Sequence, residues 1–136
     1  MYVATVRGYS IYSMEPGENQ DSTAGYVSRS GGFAQVQGLP LLKPPWSSIV
    51  AIDMNTGEHL WMKPMGNGDR FRNLPLLRDL NLPPLGGDSS RSGPLLTKTL
   101  LIYALTAGGT GDGPRLIALD KTTGDEIASV DLPGGA

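Results

Sequence analysis

The sequence predicts an all-β chain of repeated antiparallel hairpins, and three observations carry that expectation. Its 136 residues include 19 Gly and 11 Pro, so 30 residues, or 22%, are chain breakers, against about 12% in average usage. That density disfavours a helical bundle and favours short strands joined by turns. Second, 39% of the residues are apolar, in runs such as Leu95-Leu96 and Leu100-Leu101-Ile102-Tyr103 that need burial, which excludes a wholly disordered chain. Third, two segments repeat: Ile49 to Trp61 and Leu116 to Ala128 share Ala, Asp, Thr and Gly at one offset, since 118−51, 120−53, 123−56 and 124−57 all equal 67.

Taken in order, Tyr2 to Tyr12 reads as one or two strands. Residues 15–45, rich in Gly, Ser, Asn and Gln as far as Leu42, read as a long loop; loops beyond about 12–15 residues are usually functional or disordered. Each repeat copy reads as strand, tight turn and strand, which places hairpins near 49–62 and 116–130. In each, the Asp oxygen caps the turn and the Gly supplies a positive φ that a β-branched residue resists. The flanking apolar residues alternate with polar ones, as a half-buried hairpin requires. Residues 64–94 form a second long loop, punctuated by Gly66-Asn67-Gly68-Asp69 and by Asn81-Leu82-Pro83-Pro84-Leu85-Gly86-Gly87, with a helical turn over Leu74–Leu80 after Asn73. A strand returns over Leu95–Leu105. An internal repeat with a hairpin in each copy implies a propeller or another repeated β architecture. A four-stranded blade takes about 40–50 residues, so the offset exceeds one blade by a loop, which falls between Pro64 and Pro94.

Several chemistries are excluded. With 11 basic and 13 acidic residues the net charge is −2, so no basic field exists for nucleic acid. No uncharged apolar run of about 20 residues is present to span a membrane. Met1 leads straight into Tyr2-Val3-Ala4-Thr5-Val6, without the positive flank and apolar core of a signal peptide. Zero Cys removes disulfides and thiolate metal sites. His59 is the sole His, so no His pair can hold a metal, and no G-x-S-x-G elbow accompanies it. Gly108-Gly109-Thr110-Gly111-Asp112-Gly113 resembles a phosphate loop in composition only; it lacks the Lys-Ser/Thr ending and reads as a hairpin loop. Asp112 with Asp88 or Asp69 would offer calcium oxygens, but the D-x-[DN]-x-[DN]-G spacing is missing. Arg70, Arg72 and Arg78, interleaved with Phe71 and leucines, read as a solvated loop face. No residue stands out as catalytic or metal-ligating.

One motif carries a likeness. The pattern A-x-D-x-x-T-G-x-x-x-W is met in full by Ala51, Asp53, Thr56, Gly57 and Trp61, and it resembles the tryptophan-docking motif of quinoprotein dehydrogenases, which use pyrroloquinoline quinone. Gly38-Leu39-Pro40-Leu41-Leu42-Lys43-Pro44-Pro45-Trp46 and Leu82 to Gly87, followed by Gly93-Pro94-Leu95, resemble the carboxy-terminal part of the membrane-bound glucose/quinate-type subfamily. The likeness spans nearly the whole chain. It implies one partial β-propeller domain over 1–136, with two to three four-stranded blades, cut from a larger periplasmic and membrane-anchored enzyme. Such an enzyme oxidises a sugar, polyol or alcohol with pyrroloquinoline quinone and calcium near the propeller axis, and passes electrons to a quinone acceptor. Its calcium-binding carboxylate and catalytic Asp belong to upstream blades, so no residue here inherits those roles and the isolated chain is expected to be inactive.

The docking motif implies that the Trp61 ring packs between adjacent sheets, with its indole N–H bonded to backbone of the next blade. The second copy keeps Ala118, Asp120, Thr123 and Gly124 but has Ala128 where Trp is expected. Many relatives carry a quinone-contacting Asn after the opening strand. Val6 and Arg7 stand there instead, which makes Arg7 a candidate for a quinone carboxylate, against the plainer reading of a surface Arg. Leu85-Gly86-Gly87 is a second cofactor candidate, because Gly permits close backbone approach, against the plainer reading of a turn. Open strand edges imply docking on the remaining blades or self-association. Two competing readings are a non-catalytic propeller scaffold for protein–protein contact and a carbohydrate-binding β-sandwich. The long segments around Pro45 and Pro84 favour the dehydrogenase over the scaffold, and the two Trp, five Tyr and two Phe are too scattered for stacked sugar platforms.

Overall fold

Eleven strands form among the residues described by a computed structural model, 1–17, 25–88, 93–107 and 113–133. In chain order they are β1 (Tyr2–Val6), β2 (Ser10–Pro16), β3 (Tyr26–Phe33), β4 (Gln35–Val36), β5 (Leu39–Pro40), β6 (Ser47–Ile52), β7 (His59–Pro64), β8 (Leu95–Leu96), β9 (Leu100–Leu105), β10 (Arg115–Asp120) and β11 (Glu126–Asp131). One helical turn, α1 (Asp69–Arg72), interrupts them. The chain divides into two compact units, Met1–Arg7 with Pro44–Ala136, and Gly8–Lys43.

The larger unit holds two antiparallel sheets, one ordered β1-β6-β7 and the other β11-β10-β9-β8. In β9, Leu101, Tyr103 and Leu105 are buried while their neighbours are partly exposed; in β10, Ile117 and Leu119 take the same role. Register places Leu101 opposite Leu119 and Tyr103 opposite Ile117, so one face of this sheet is continuously apolar. That face joins Ile49 and Met65 in the main core, with Tyr2, Ala4 and Trp61 packed against it. The strand β6 is buried along nearly its whole length, and it is the central strand of its sheet, flanked by β1 and β7. Within the larger unit the described residues thus form one four-stranded and one three-stranded sheet, while the smaller unit holds the two-stranded pairs β2-β3 and β4-β5.

The two hairpins superpose at the level of single bonds. Asp53 N–H donates to Glu58 O (2.9 Å) and Gly57 N–H to Asp53 O (2.8 Å); Asp120 N–H donates to Asp125 O (2.8 Å) and Gly124 N–H to Asp120 O (2.8 Å). Asp53 Oδ1 accepts from Asn55 N–H at 2.8 Å, and Asp120 Oδ1 from Thr122 N–H at 2.7 Å. Gly57 and Gly124 have φ of 75° and 78°. Even the register shifts recur, between Ala51 and Ile52 and between Ala118 and Leu119.

Three expectations need correction. The loop assigned to 15–45 contains β3, which pairs with β2, and the short β4–β5 hairpin, which turns through Gln37 and Gly38 at φ of 53° and 84°. Two successive positive-φ residues are what a two-residue hairpin turn demands. Low apolar content hid these strands, because β2 is exposed along almost its whole length and offers no buried face to read. The helix proper lies earlier than expected, at Asp69–Arg72; Leu74–Leu80 forms consecutive turns, one of them helical in spacing, closed by Arg78 N–H to Leu74 O (3.0 Å), with Leu77 N–H to Leu74 O (2.9 Å) and Leu80 N–H to Leu77 O (2.9 Å) beside it. Asp69 opens that helix and Arg72 closes it, in the order a helix dipole favours. The strand expected over Leu95–Leu105 is two strands, β8 and β9, parted by a turn in which Thr97 Oγ1 accepts from Leu100 N–H at 2.9 Å.

Candidate functional site

The best-defined constellation in the larger unit joins the two sheets. Trp61 lies on β7, and its Nε1–H donates to Lys121 O at 3.2 Å in the turn between β10 and β11. The same carbonyl accepts from Tyr2 Oη–H at 2.9 Å. The Tyr2 and Trp61 rings lie 5.8 Å apart at 40°, a tilted pair of the kind aromatic quadrupoles favour. Lys63 adds a third tie by donating from Nζ to Gly124 O at 2.9 Å. Gly124 is required here twice over: its φ is positive, and a Cβ would stand 2.8 Å from Trp61 Cδ2. Gly57 has the same φ but nothing within 4 Å of its would-be Cβ. Among the sequence candidates, Trp61 thus meets Gly124 of the other copy, while Ala51 and Ala118 sit within their own strands, and Asp53, Thr56, Asp120 and Thr123 serve their own turns. Thr56 and Thr123 each accept a backbone N–H at 3.2 Å, from Glu58 and Asp125. Tyr2 and Lys63 were not foreseen, since neither belongs to the repeated pattern.

Asp120 shows how local this turn chemistry is. Backbone N–H bonds from Thr122 and Thr123 hold its carboxyl below the usual carboxylate range.

A second constellation surrounds the cofactor candidates. Residues 65–88 fold back on the start of β6. Trp46 N–H donates to Leu85 O (2.8 Å), and Arg7 N–H donates to Trp46 O (2.7 Å), so Trp46 links Arg7 to the Leu85 turn. Gly87 N–H donates to Ser47 Oγ at 2.7 Å, and Ser47 Oγ–H in turn donates to Met65 O at 3.1 Å. A Cβ on Gly86 would lie 2.3 Å from Ser47 O, and one on Gly87 2.8 Å from Phe71 Cε2. The close approach these glycines permit is therefore to Ser47 and Phe71, and Leu85 is buried at 2% exposure. Phe71 of α1 packs against Trp46, with ring centroids 4.3 Å apart and planes tilted by 55°. Asp88 closes the loop. Its Oδ2 accepts from Gly68 N–H at 2.6 Å, while Oδ1 is buried without a partner among the described residues. Burial pushes this carboxyl above the usual range, against the lowering effect of the Gly68 bond.

Arg7 differs from the Leu85 turn in being exposed. It borders an open groove with Val3, Thr5, Ser48, His59 and Met62 on one face of the β1-β6-β7 sheet. No group of three or more His, Asp or Glu side chains that could hold a metal converges among the described residues; Asp112 lies outside them. A tricarboxylated planar quinone needs several cations or amides around its rim, and among these candidates only Arg7 supplies an exposed one. The described residues do not enclose such a cofactor or cage a calcium ion by themselves.

Two Asp–Thr–Gly turns at one offset, with a Trp–carbonyl bond joining their sheets, define a protein of repeated antiparallel β-hairpins. Comparison with known proteins names the family. A model described as the glucose/ethanol/alcohol dehydrogenase β-propeller domain, PQQ, matches residues 5–136, and the chain belongs to this family of pyrroloquinoline-quinone-dependent dehydrogenases. It is 27% identical over 115 residues to quinate/shikimate dehydrogenase (quinone) of Acinetobacter baylyi, covering 82% of this chain and 13% of that protein. It is 32% identical over 102 residues to the glycerol dehydrogenase large subunit of Gluconobacter thailandicus, covering 74% of this chain and 13% of the relative. Quinoprotein glucose dehydrogenase A of Acinetobacter calcoaceticus is 29% identical over 114 residues, 81% of this chain and 13% of that enzyme. The chain therefore spans only about an eighth of the relatives it matches. No solved structure matches it. Among the described residues, no helix is long and apolar enough to cross a membrane.

Proposed function

We propose that this chain is a piece of a periplasmic dehydrogenase that oxidises a sugar, polyol or alcohol with pyrroloquinoline quinone and calcium and delivers the electrons to a quinone acceptor. The observation that carries the reading is the Trp61 dock onto Lys121 O and Gly124, set within a family match over residues 5–136. The quinone would supply the redox chemistry, and the protein its position and electrostatics. This stretch contributes propeller wall and inter-sheet docking, and Arg7 offers a guanidinium to one cofactor carboxylate. The general base and the calcium ligands lie elsewhere in the parent, so the isolated chain is inactive. Its open sheet edges and exposed apolar residues, among them Leu95, Ile127 and Val130, dock on the remaining blades or on another copy.

A non-catalytic propeller scaffold for protein–protein contact is the second reading, favoured by the exposed apolar side chains of Leu95, Ile127 and Val130. Titration of the purified chain with pyrroloquinoline quinone, with and without calcium, separates the two. Saturable binding that weakens in Arg7→Gln supports the dehydrogenase reading. A folded chain that binds none, alone or mixed with the remainder of its parent protein, overturns it.

A further inference from the structure

The smaller unit carries a two-stranded sheet, β2-β3, that is exposed along nearly its whole length. A lone two-stranded hairpin is marginal in water, and further strands over an apolar face are what stabilise it. Register puts Tyr12, Met14 and Pro16 of β2 on one face with Tyr26, Ser28 and Ser30 of β3. There Tyr12, Met14 and Tyr26 are 66%, 67% and 63% exposed. The opposite face carries the Glu15–Arg29 ion pair. We propose that β2 pairs antiparallel with β2 of a second copy about a two-fold axis at Ser13, making a four-stranded sheet ordered β3-β2-β2-β3. This rests on the reading above that an open edge of the chain takes another copy, and it names the edge.

The two edges of the hairpin differ. β2 is regular from Ser10 to Pro16, and its one charge, Glu15, lies towards the end. Among the described residues nothing pairs with its outer edge. In β3, Gly31 and Gly32 stand against Ile11 alone, with Gly32 at φ of 83°, and Arg29 sits mid-strand. A bulge and a charge are devices that keep an edge from pairing, and β2 has neither between Ser10 and Met14. Pairing about Ser13 sets Tyr12 of each copy opposite Met14 of the other, so the apolar faces merge and each thioether meets an aromatic ring. A slip of one residue would instead set the apolar face of one copy beside the charged face of the other. Each Glu15 falls opposite Ile11 of the second copy. The two carboxylates then stand about 14 Å apart along the strands, beyond the Debye length of about 8 Å at physiological salt. Both outer edges of the new sheet are β3, so pairing closes at the dimer.

Analytical ultracentrifugation of the whole chain over a wide concentration range tests the assignment. The mass should double and rise no further. Ser13→Glu places two carboxylates face to face at the axis, while inside its own hairpin the new group stands opposite Arg29. It should weaken the dimer about fivefold or more at low ionic strength, with added salt restoring it. A mixture of Ser13→Glu and Ser13→Lys should dimerise more tightly than either variant alone. Val130→Lys, on β11, should leave the dimer intact. A chain that stays monomeric, association that continues past the dimer, or a dimer that Ser13→Glu spares would each overturn the proposal. If Ser13→Glu does not fold, Met14→Lys replaces it, at a side chain exposed in the single copy, and an unchanged dimer there overturns the proposal equally. Association lost in Val130→Lys but kept in Ser13→Glu overturns the β2 assignment and leaves the broader reading of self-docking standing. Quinone is absent from every arm, so failure here is distinct from failure of the dehydrogenase reading.

Discussion

Gly124→Ala is the perturbation that isolates the dock, because Gly57 provides a matched control within the same chain. Both glycines hold φ near +75° in equivalent turns. Forcing an L-residue into that region costs about 1–2 kcal/mol. At Gly57 the new methyl meets open space, so the cost ends there. At Gly124 the methyl would sit 2.8 Å from Trp61 Cδ2 and 2.9 Å from Cε3. The indole is tied by its N–H to Lys121 O and cannot slide freely, so overpacking adds about 1–3 kcal/mol. The predicted totals are about 2–5 kcal/mol for Gly124→Ala and about 1–2 kcal/mol for Gly57→Ala. Urea unfolding followed by far-ultraviolet circular dichroism gives both values, read as midpoint shifts at unchanged slope. In a Trp61→Ala background the excess at position 124 should vanish, and the cycle measures that coupling directly. Equal costs at 57 and 124, or an excess that survives removal of the indole, would refute the reasoning.

Trp61→Phe keeps a ring over Gly124 but removes the bond to Lys121 O, and thermal unfolding should report a loss of about 1–3 kcal/mol. Asp88 titrates above the ordinary carboxylate value because of burial, so the native state binds the extra proton and stability falls as pH rises from about 3.9 through that raised value. Asp88→Asn should remove this slope: the stability of the variant minus that of the wild type grows with pH across that window, and a pH-independent difference would contradict the assignment. Asp120 has the opposite sign. Its lowered carboxyl contributes stability that is present above about pH 3.9 and lost as pH falls through the native value, so Asp120→Asn should flatten the acid limb of the pH–stability curve.

What the sequence made legible was whatever is decided within a few residues. Asp53 and Asp120, with Gly57 and Gly124, announce their turns because each bond closes inside a six-residue span. The β9 and β10 alternation is equally visible, since Leu101, Tyr103, Ile117 and Leu119 all face one core. The β2–β3 pair escaped notice because its stability signal is backbone pairing and an exposed Glu15–Arg29 ion pair at 2.5 Å, and exposed pairs contribute little and leave no apolar pattern. The candidate site divides in the same way. The Trp61 contact follows from a motif, whereas Tyr2 and Lys63 reach the second turn across separations of 119 and 61 residues that no local pattern encodes. At Leu85-Gly86-Gly87 a backbone does approach closely, and that backbone is Ser47 of the same chain, a contact across about 40 residues that no local pattern encodes.

The two copies of the motif also show that its parts are energetically separable. The Asp, Thr and Gly positions act on their own turn, and both copies make the same bonds at the same offset. The Trp position acts only across sheets. In the second copy Ala128 pairs with Ala118 in β10–β11 without disturbing a single turn bond. Loss of the indole therefore costs nothing locally and is felt only by whatever faces that strand pair. There, Ile102, Leu116 and Val130 flank the two alanines where Tyr2, Ile49 and Lys63 flank Ala51 and Trp61 in the first sheet. The dock is thus directional: the second sheet receives a Trp on one face and presents none on the other. A Trp introduced as Ala128→Trp should leave the Asp120 turn intact, because the determinants of that turn lie wholly between Asp120 and Asp125.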